Sequence, residues 1–218
     1  MTPAVTPDHL PAPATIAFSS RDEGEELQRA ELYGLLARLW LAPPDAELLQ
    51  QFAVAVTEAP TPGAFLEAPW QDLVAALRAS TEAAAAQEFD ALFVGIGKAD
   101  ILLYASHHLA GALNEKPLVA LRTDLAALGL TRDAAASETE DHLSFIFEVM
   151  RYLIAGDDLA LCNLERQRQI FRAHLQPWVA DALCAAVQTH PRARLYAALA
   201  AFTRAFMEVE AQGFDMIE

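Results

Sequence analysis

The segment SETEDHLSFIFEVM, residues 137–150, sets Glu138, Glu140, Asp141 and His142 directly in front of an apolar run. Carboxylates and an imidazole at that density could ligate a metal, move protons, dock a basic partner or begin a helix. Asp141 and His142 are neighbours, so on a helix their side chains diverge by about 100° and do not converge on one ion. No HExxH and no Cys/His ligand spacing occurs, and the adjacent pair His107 and His108 fails on the same geometry. The stretch FVGIGKADI offers Gly95, Gly97 and Lys98, yet it matches neither a Walker loop nor a dinucleotide fingerprint. The Ser, Cys and His residues form no nucleophile motif. The expected catalytic residues, metal ligands and cofactors are therefore none.

A helix start accounts for part of the segment. Ser137 followed three residues later by Glu140 fits a capping box, and Thr139 with His142 is the other possible pair. Acidic residues in a first helical turn each contribute roughly 0.3–1 kcal/mol against the helix dipole. At helical spacing, Leu143, Ile146, Phe147, Met150, Leu153 and Ile154 form a core stripe. A second face combines Asp141, His142, Phe145, Glu148, Val149 and Tyr152, leaving only a narrow solvated wedge near Ser144 and Arg151. Buried acids need partners, with Arg132 or Arg151 available to Asp141, and a fully solvated face would hold fewer aromatics. A helix lining a groove, acidic at its mouth and apolar along its wall, satisfies both conditions. Such a groove suits a peptide with a basic end and an apolar continuation.

The elements that must position this face are helical. Ala, Leu, Glu, Gln and Arg dominate, and alternating runs of Val, Ile and Thr are nearly absent. Over residues 23–41, Leu27, Ala30, Leu35 and Leu39 keep helical spacing, and Tyr33, Leu36 and Trp40 widen the stripe. Pro43 and Pro44 stop that helix and Asp45 caps the next. Further helices are expected at 45–57, 69–95, 102–113, 116–128, 140–155, 158–175, 177–189 and 192–211. Breaks fall at 60–63, 95–100, 129–137, Gly156 and Pro191. The fold class is all-α: one bundle of about nine or ten helices over residues 23–218. The loop at 129–137 marks a soft boundary between two helical halves, and no fixed-period repeat points to a solenoid. Tyr33, Trp40, His174 and Trp178 are expected in the core.

Charge and composition bound the partners. Of 218 residues, 54% are hydrophobic, and the formal net charge is −15 with a pI near 4.7. Nucleic acid and anionic membrane surfaces repel such a molecule, whereas a basic peptide or protein patch suits it. No apolar stretch is long enough to cross a bilayer, so no membrane insertion is expected. Residues 1–22 carry Pro3, Pro7, Pro11 and Pro13 and no Lys or Arg before Arg21, which fits a flexible tail better than a signal peptide. A cytoplasmic location follows as an expectation, with Cys162 and Cys184 as buried free thiols.

Four segments in order resemble the TorD/DmsD-type chaperones of molybdenum-cofactor enzymes, to which the nitrate-reductase assembly chaperones are related. They are RAELYGLLARLWLAPPDAELL from Arg29, EFDALFVGIGKADILLYAS from Glu88, the acidic segment at 138–150, and QIFRAHLQPWVADAL from Gln169. The third is similar to a Glu-Pro-x-Asp-His signature followed by Glu-x-Met, here Glu138, Asp141, His142, Glu148 and Met150. The fourth matches Phe-x-x-His-Leu-x-x-Trp at Phe171, His174, Leu175 and Trp178. Thr139 stands where the signature has proline, and Leu103 stands where a proline usually precedes Tyr104.

The resemblance implies a non-enzymatic cytoplasmic chaperone. Its partners would be the twin-arginine leader of a molybdopterin enzyme, the apo catalytic subunit, or both, and export would wait for cofactor insertion. Carried onto this chain, the signature gives Glu138, Asp141 and His142, and the second segment gives Tyr104 and Ser106. Phe145, Glu148 and Tyr152 join them as groove wall on the helical reading. Relatives exchange helices between subunits, so monomer and helix-swapped dimer both stay open, with 129–137 as the hinge. Two other function classes stand beside this one: a helical regulatory module binding a small ligand, and a weak nucleotide-binding or hydrolysing protein.

Overall fold

The computed structural model describes residues 23–55, 64–95, 98–133, 136–158 and 160–216. The expected tail at 1–22 and the break at 60–63 lie outside them, as do residues 96 and 97 of the break at 95–100 and residues 134 and 135 of the loop at 129–137. Every regular element among the described residues is a helix, and the only β pairing among them is an isolated antiparallel bridge between Tyr104 and His142. The all-α expectation holds.

The first helix, α1 (Glu23–Leu41), ends at the expected Pro43-Pro44 break. Asp45 then caps α2 (Ala46–Val54) by accepting the Leu48 N–H at 2.8 Å, while Arg38 reaches the other carboxylate oxygen at 2.7 Å. The single helix expected over 69–95 is three elements: α3 (Glu67–Ala79), α4 (Glu82–Phe89) and a π-helical stretch Asp90–Val94. The break falls at Ser80-Thr81, where Thr81 caps α4 by accepting the Ala84 N–H at 3.2 Å. Gly95 closes the π-helical stretch at φ 66°, and a Cβ there would stand 2.2 Å from the Lys98 carbonyl oxygen, so only glycine fits.

The remaining elements are α5 (Ala105–Ala110), α6 (Lys116–Ala127), α7 (Leu143–Ala155), α8 (Leu164–His174), a second π-helical stretch Val179–Cys184, α9 (Ala185–Thr189) and α10 (Leu195–Asp215). Helix α7 begins three residues later than expected, and α8 begins six later, at an Asn163 cap that accepts the Arg166 N–H.

One apolar cluster runs from Tyr33 to Phe214 and includes residues on both sides of 129–137. Helix α7 packs along α1, and α10 packs on α3, α9 and the second π-helical stretch. Tyr33, Trp40 and Trp178 are fully buried and His174 nearly so, as expected. His174 Nε2 lies 2.7 Å from an Asp124 oxygen, and its carbonyl accepts the Trp178 indole N–H. A buried polar network ties four helices together. Glu210 on α10 accepts from Arg29 Nε and from the Tyr33 hydroxyl, both at 2.7 Å, and Arg29 also reaches Gln167, whose amide donates to the Leu153 carbonyl. Burial lowers the Arg29 pKa, but the Glu210 carboxylate beside it more than compensates and holds the guanidinium charged. Of the two free thiols, Cys184 is buried and Cys162 is half-buried.

Candidate functional site

Two short extended segments meet behind the acidic sequence. The Leu143 N–H donates to the Leu103 carbonyl at 2.8 Å and the Ala105 N–H to the Asp141 carbonyl at 2.9 Å, which makes the Tyr104–His142 bridge. These bonds fasten the start of α5 to the start of α7. Asp141 completes the joint from its side chain. One carboxylate oxygen accepts the Ser106 N–H at 2.9 Å and the other accepts the Thr139 hydroxyl at 2.7 Å. Asp141 is 0% exposed and pairs with neither Arg132 nor Arg151. A buried carboxylate with both oxygens engaged by internal donors fixes the loop and does not face a ligand. Ser106 is equally buried, and its hydroxyl has no hydrogen-bond partner among the described residues.

Neither expected capping box forms. His142 itself is the cap of α7: its Nδ1 accepts the Ser144 N–H at 3.3 Å and lies 2.8 Å from the Ser144 hydroxyl. Nδ1 as acceptor makes the imidazole neutral, with its proton on Nε2. Burial pushes the His142 pKa down to about 4, although Glu138 and Asp141 pull it upward. Glu140 turns away to Arg122, whose guanidinium holds its carboxyl below the usual range at 2.8 Å, with Arg132 farther off at 3.9 Å.

Glu138 points the other way. The Tyr104 hydroxyl donates to it, and Ser137 Oγ stands 3.2 Å from its other oxygen. Burial first, and this carboxylate second, raise the Tyr104 pKa, so the phenol stays protonated as the donor. The Tyr104 ring meets His142 edge to face at 5.0 Å, which fixes the phenol's direction.

In front of this joint, α1 and α7 leave a groove of about 360 Å³ between them. Its floor is Ala37 and Leu41 from α1 and Ser144 and Phe145 from α7, with Glu138 and Glu148 beside it. Leu41 is 52% exposed and offers apolar surface to the groove. Arg38 also lines the groove, but its guanidinium is drawn to Asp45. Glu148 pairs with Arg151 at 2.9 Å. Space of this size, almost wholly apolar and with Glu138 and Glu148 among its lining residues, suits an apolar side chain.

Of the eight sequence candidates, Glu138, Phe145 and Glu148 meet in the groove. Tyr104, Ser106, Asp141 and His142 stand behind it as its frame, and Tyr152 lies one turn farther along α7, 40% exposed. The solvated wedge differs from the expected one: Ser144 and Val149 are buried, while Glu148, Arg151 and Tyr152 face solvent. Ala37 and Leu41 carry no local signal in the sequence that marks them as groove residues. Their place in the groove depends on α1 lying along α7, a long-range pairing that no local pattern carries.

No helix among the described residues is long and apolar enough to cross a membrane. Residues 62–185 match the family of the nitrate reductase delta subunit. A comparison with curated proteins finds no match. The matched span exceeds half of the chain and contains the second, third and fourth of the segments described above. The chain belongs to the nitrate reductase delta family, a family of molybdoenzyme maturation chaperones related to the TorD/DmsD type.

Proposed function

We propose that this member of the nitrate reductase delta family binds the twin-arginine leader of a molybdopterin enzyme in the α1/α7 groove, and that it delays export until the cofactor is inserted. The observation that carries the reading is that Glu138 and Glu148 line the same groove as the apolar Ala37, Leu41 and Phe145. Arginine binds carboxylates by charge-assisted and often bidentate hydrogen bonds, and the apolar stretch that follows it in a leader matches the floor. The net charge of −15 favours encounter with a basic segment.

In this reading Glu138, Phe145 and Glu148 touch the peptide, and Tyr152 extends the wall. Tyr104 holds Glu138 in position, while Asp141, Ser106 and His142 are positioning residues that fix the loop. The apo catalytic subunit is the second partner, engaged in the cytoplasm, and no catalytic step is required of the chaperone. The test is affinity capture of the tagged protein from its host under respiratory growth. The expected result is a molybdopterin-enzyme subunit with its leader intact. Capture of a subunit only after its leader has been removed would contradict leader binding while leaving the chaperone role.

A further inference from the structure

Arg151 lies across the seam between α1 and α7 above Gly34, one turn before Ala37 and Arg38. A Cβ at Gly34 would stand 2.8 Å from Arg151 Cδ, with Nε and one terminal nitrogen each at 3.6 Å. The missing side chain at Gly34 therefore gives the arginine its bed. From there Nε donates to Glu148 at 2.9 Å, so one of the two carboxylates beside the groove already has a guanidinium on it. Arg38, the cation that lines the groove itself, is held by Asp45 at 2.7 Å.

We infer that Arg151 is a built-in placeholder: it occupies Glu148 in the empty chaperone and is displaced by an arginine of the bound peptide. This rests on the groove reading above and adds how that site sets its affinity. Both partners are about half exposed, at 54% and 48%, so the pair is weak and readily exchanged. Replacing one guanidinium by another leaves Glu148 paired both before and after binding, so the net gain from the peptide's cation is reduced. A peptide whose cation is absent has nothing to exchange and gains nothing from the opening. Arg151 is thus a specificity-determining residue that lowers affinity.

The test measures binding of a fluorescent synthetic peptide, two adjacent arginines followed by an apolar stretch, by anisotropy. Arg151→Gln should tighten binding roughly two- to fivefold, the range a half-exposed pair supports. Gly34→Ala, which pushes the flexible arginine arm aside without removing its charge, should shift affinity in the same direction. Arg168→Gln removes a cation from a similar pair on α8, with Glu165 at 2.8 Å, and should leave affinity unchanged. The gain from Arg151→Gln should vanish in a Glu148→Gln background and with a peptide whose arginines are glutamines. If the wild type binds the arginine peptide and Arg151→Gln binds it no tighter, the placeholder is overturned and the groove reading stands. If the peptide binds no variant, both are overturned.

Discussion

The Asp141 carboxylate accepts the Ser106 backbone N–H at 2.9 Å across 35 positions of sequence, and the Asp141 carbonyl accepts the Ala105 N–H beside it. One residue thus ties the acidic loop to the start of α5 twice, and the groove's rear wall depends on that tie. Asp141→Ala should cost about 2–4 kcal/mol, because a buried N–H and a hydroxyl lose their acceptor together. Asp141→Asn, which retains one acceptor oxygen, should cost less. Urea unfolding of both variants checks the order, and an Ala variant as stable as wild type would show that the joint is held elsewhere.

His142 gives the fold a defined acid sensitivity. Its folded pKa is about 4 against about 6.5 in the unfolded chain, so between those values only the unfolded chain takes up the proton. The stabilisation is complete above about pH 6.5 and is lost as the pH falls toward 4, about 3 kcal/mol in all. Asparagine at this position can cap α7 without titrating. His142→Asn should therefore match the wild type near pH 7 and lose less stability between pH 6.5 and 4. Parallel loss in the two proteins would place the acid sensitivity in other groups.

The Glu210 network holds α10 against α1. Glu210→Ala leaves the Arg29 guanidinium and the buried Tyr33 hydroxyl without their 2.7 Å acceptor, a loss of about 3–5 kcal/mol. Removing both charges as Arg29→Met with Glu210→Met should cost less than Glu210→Ala alone, since no unpaired ion remains. Chemical denaturation of the single and double variants measures the difference. A double variant worse than the single would mean that the pair contributes net stability.

The sequence shows its helices where punctuation is strong. Pro43-Pro44 ends α1 and Asp45 caps α2 as read, because a proline pair and a capping aspartate act locally. The break between α3 and α4 was equally local, with Thr81 before Glu82, but the alanine-rich run around it reads as continuous helix. Ser137 and Glu140 look like a capping box, yet Glu140 is claimed by Arg122 on α6 and Ser137 lies beside Glu138, so His142 caps instead. Asp141 stood out for the right reason, an acid that cannot be left unpaired, but its partner is a backbone N–H and not an arginine. Side-chain type announces that a group needs a partner; only the packing of α5, α6 and α7 decides which one.

The proposed recognition of a leader's basic end by Glu138 and Glu148, beside Leu41 and Phe145, can be measured directly. The direct measurement is the affinity of an arginine-bearing apolar peptide for wild type and for Glu138→Gln with Glu148→Gln, alongside the unfolding free energy of each. Glutamine can still accept the Tyr104 hydroxyl, so the fold should hold to within about 0.5 kcal/mol. Binding should be at least about tenfold weaker in the double variant, with the difference shrinking as salt is added. Equal affinity in the two proteins, at equal stability, would contradict the proposed recognition.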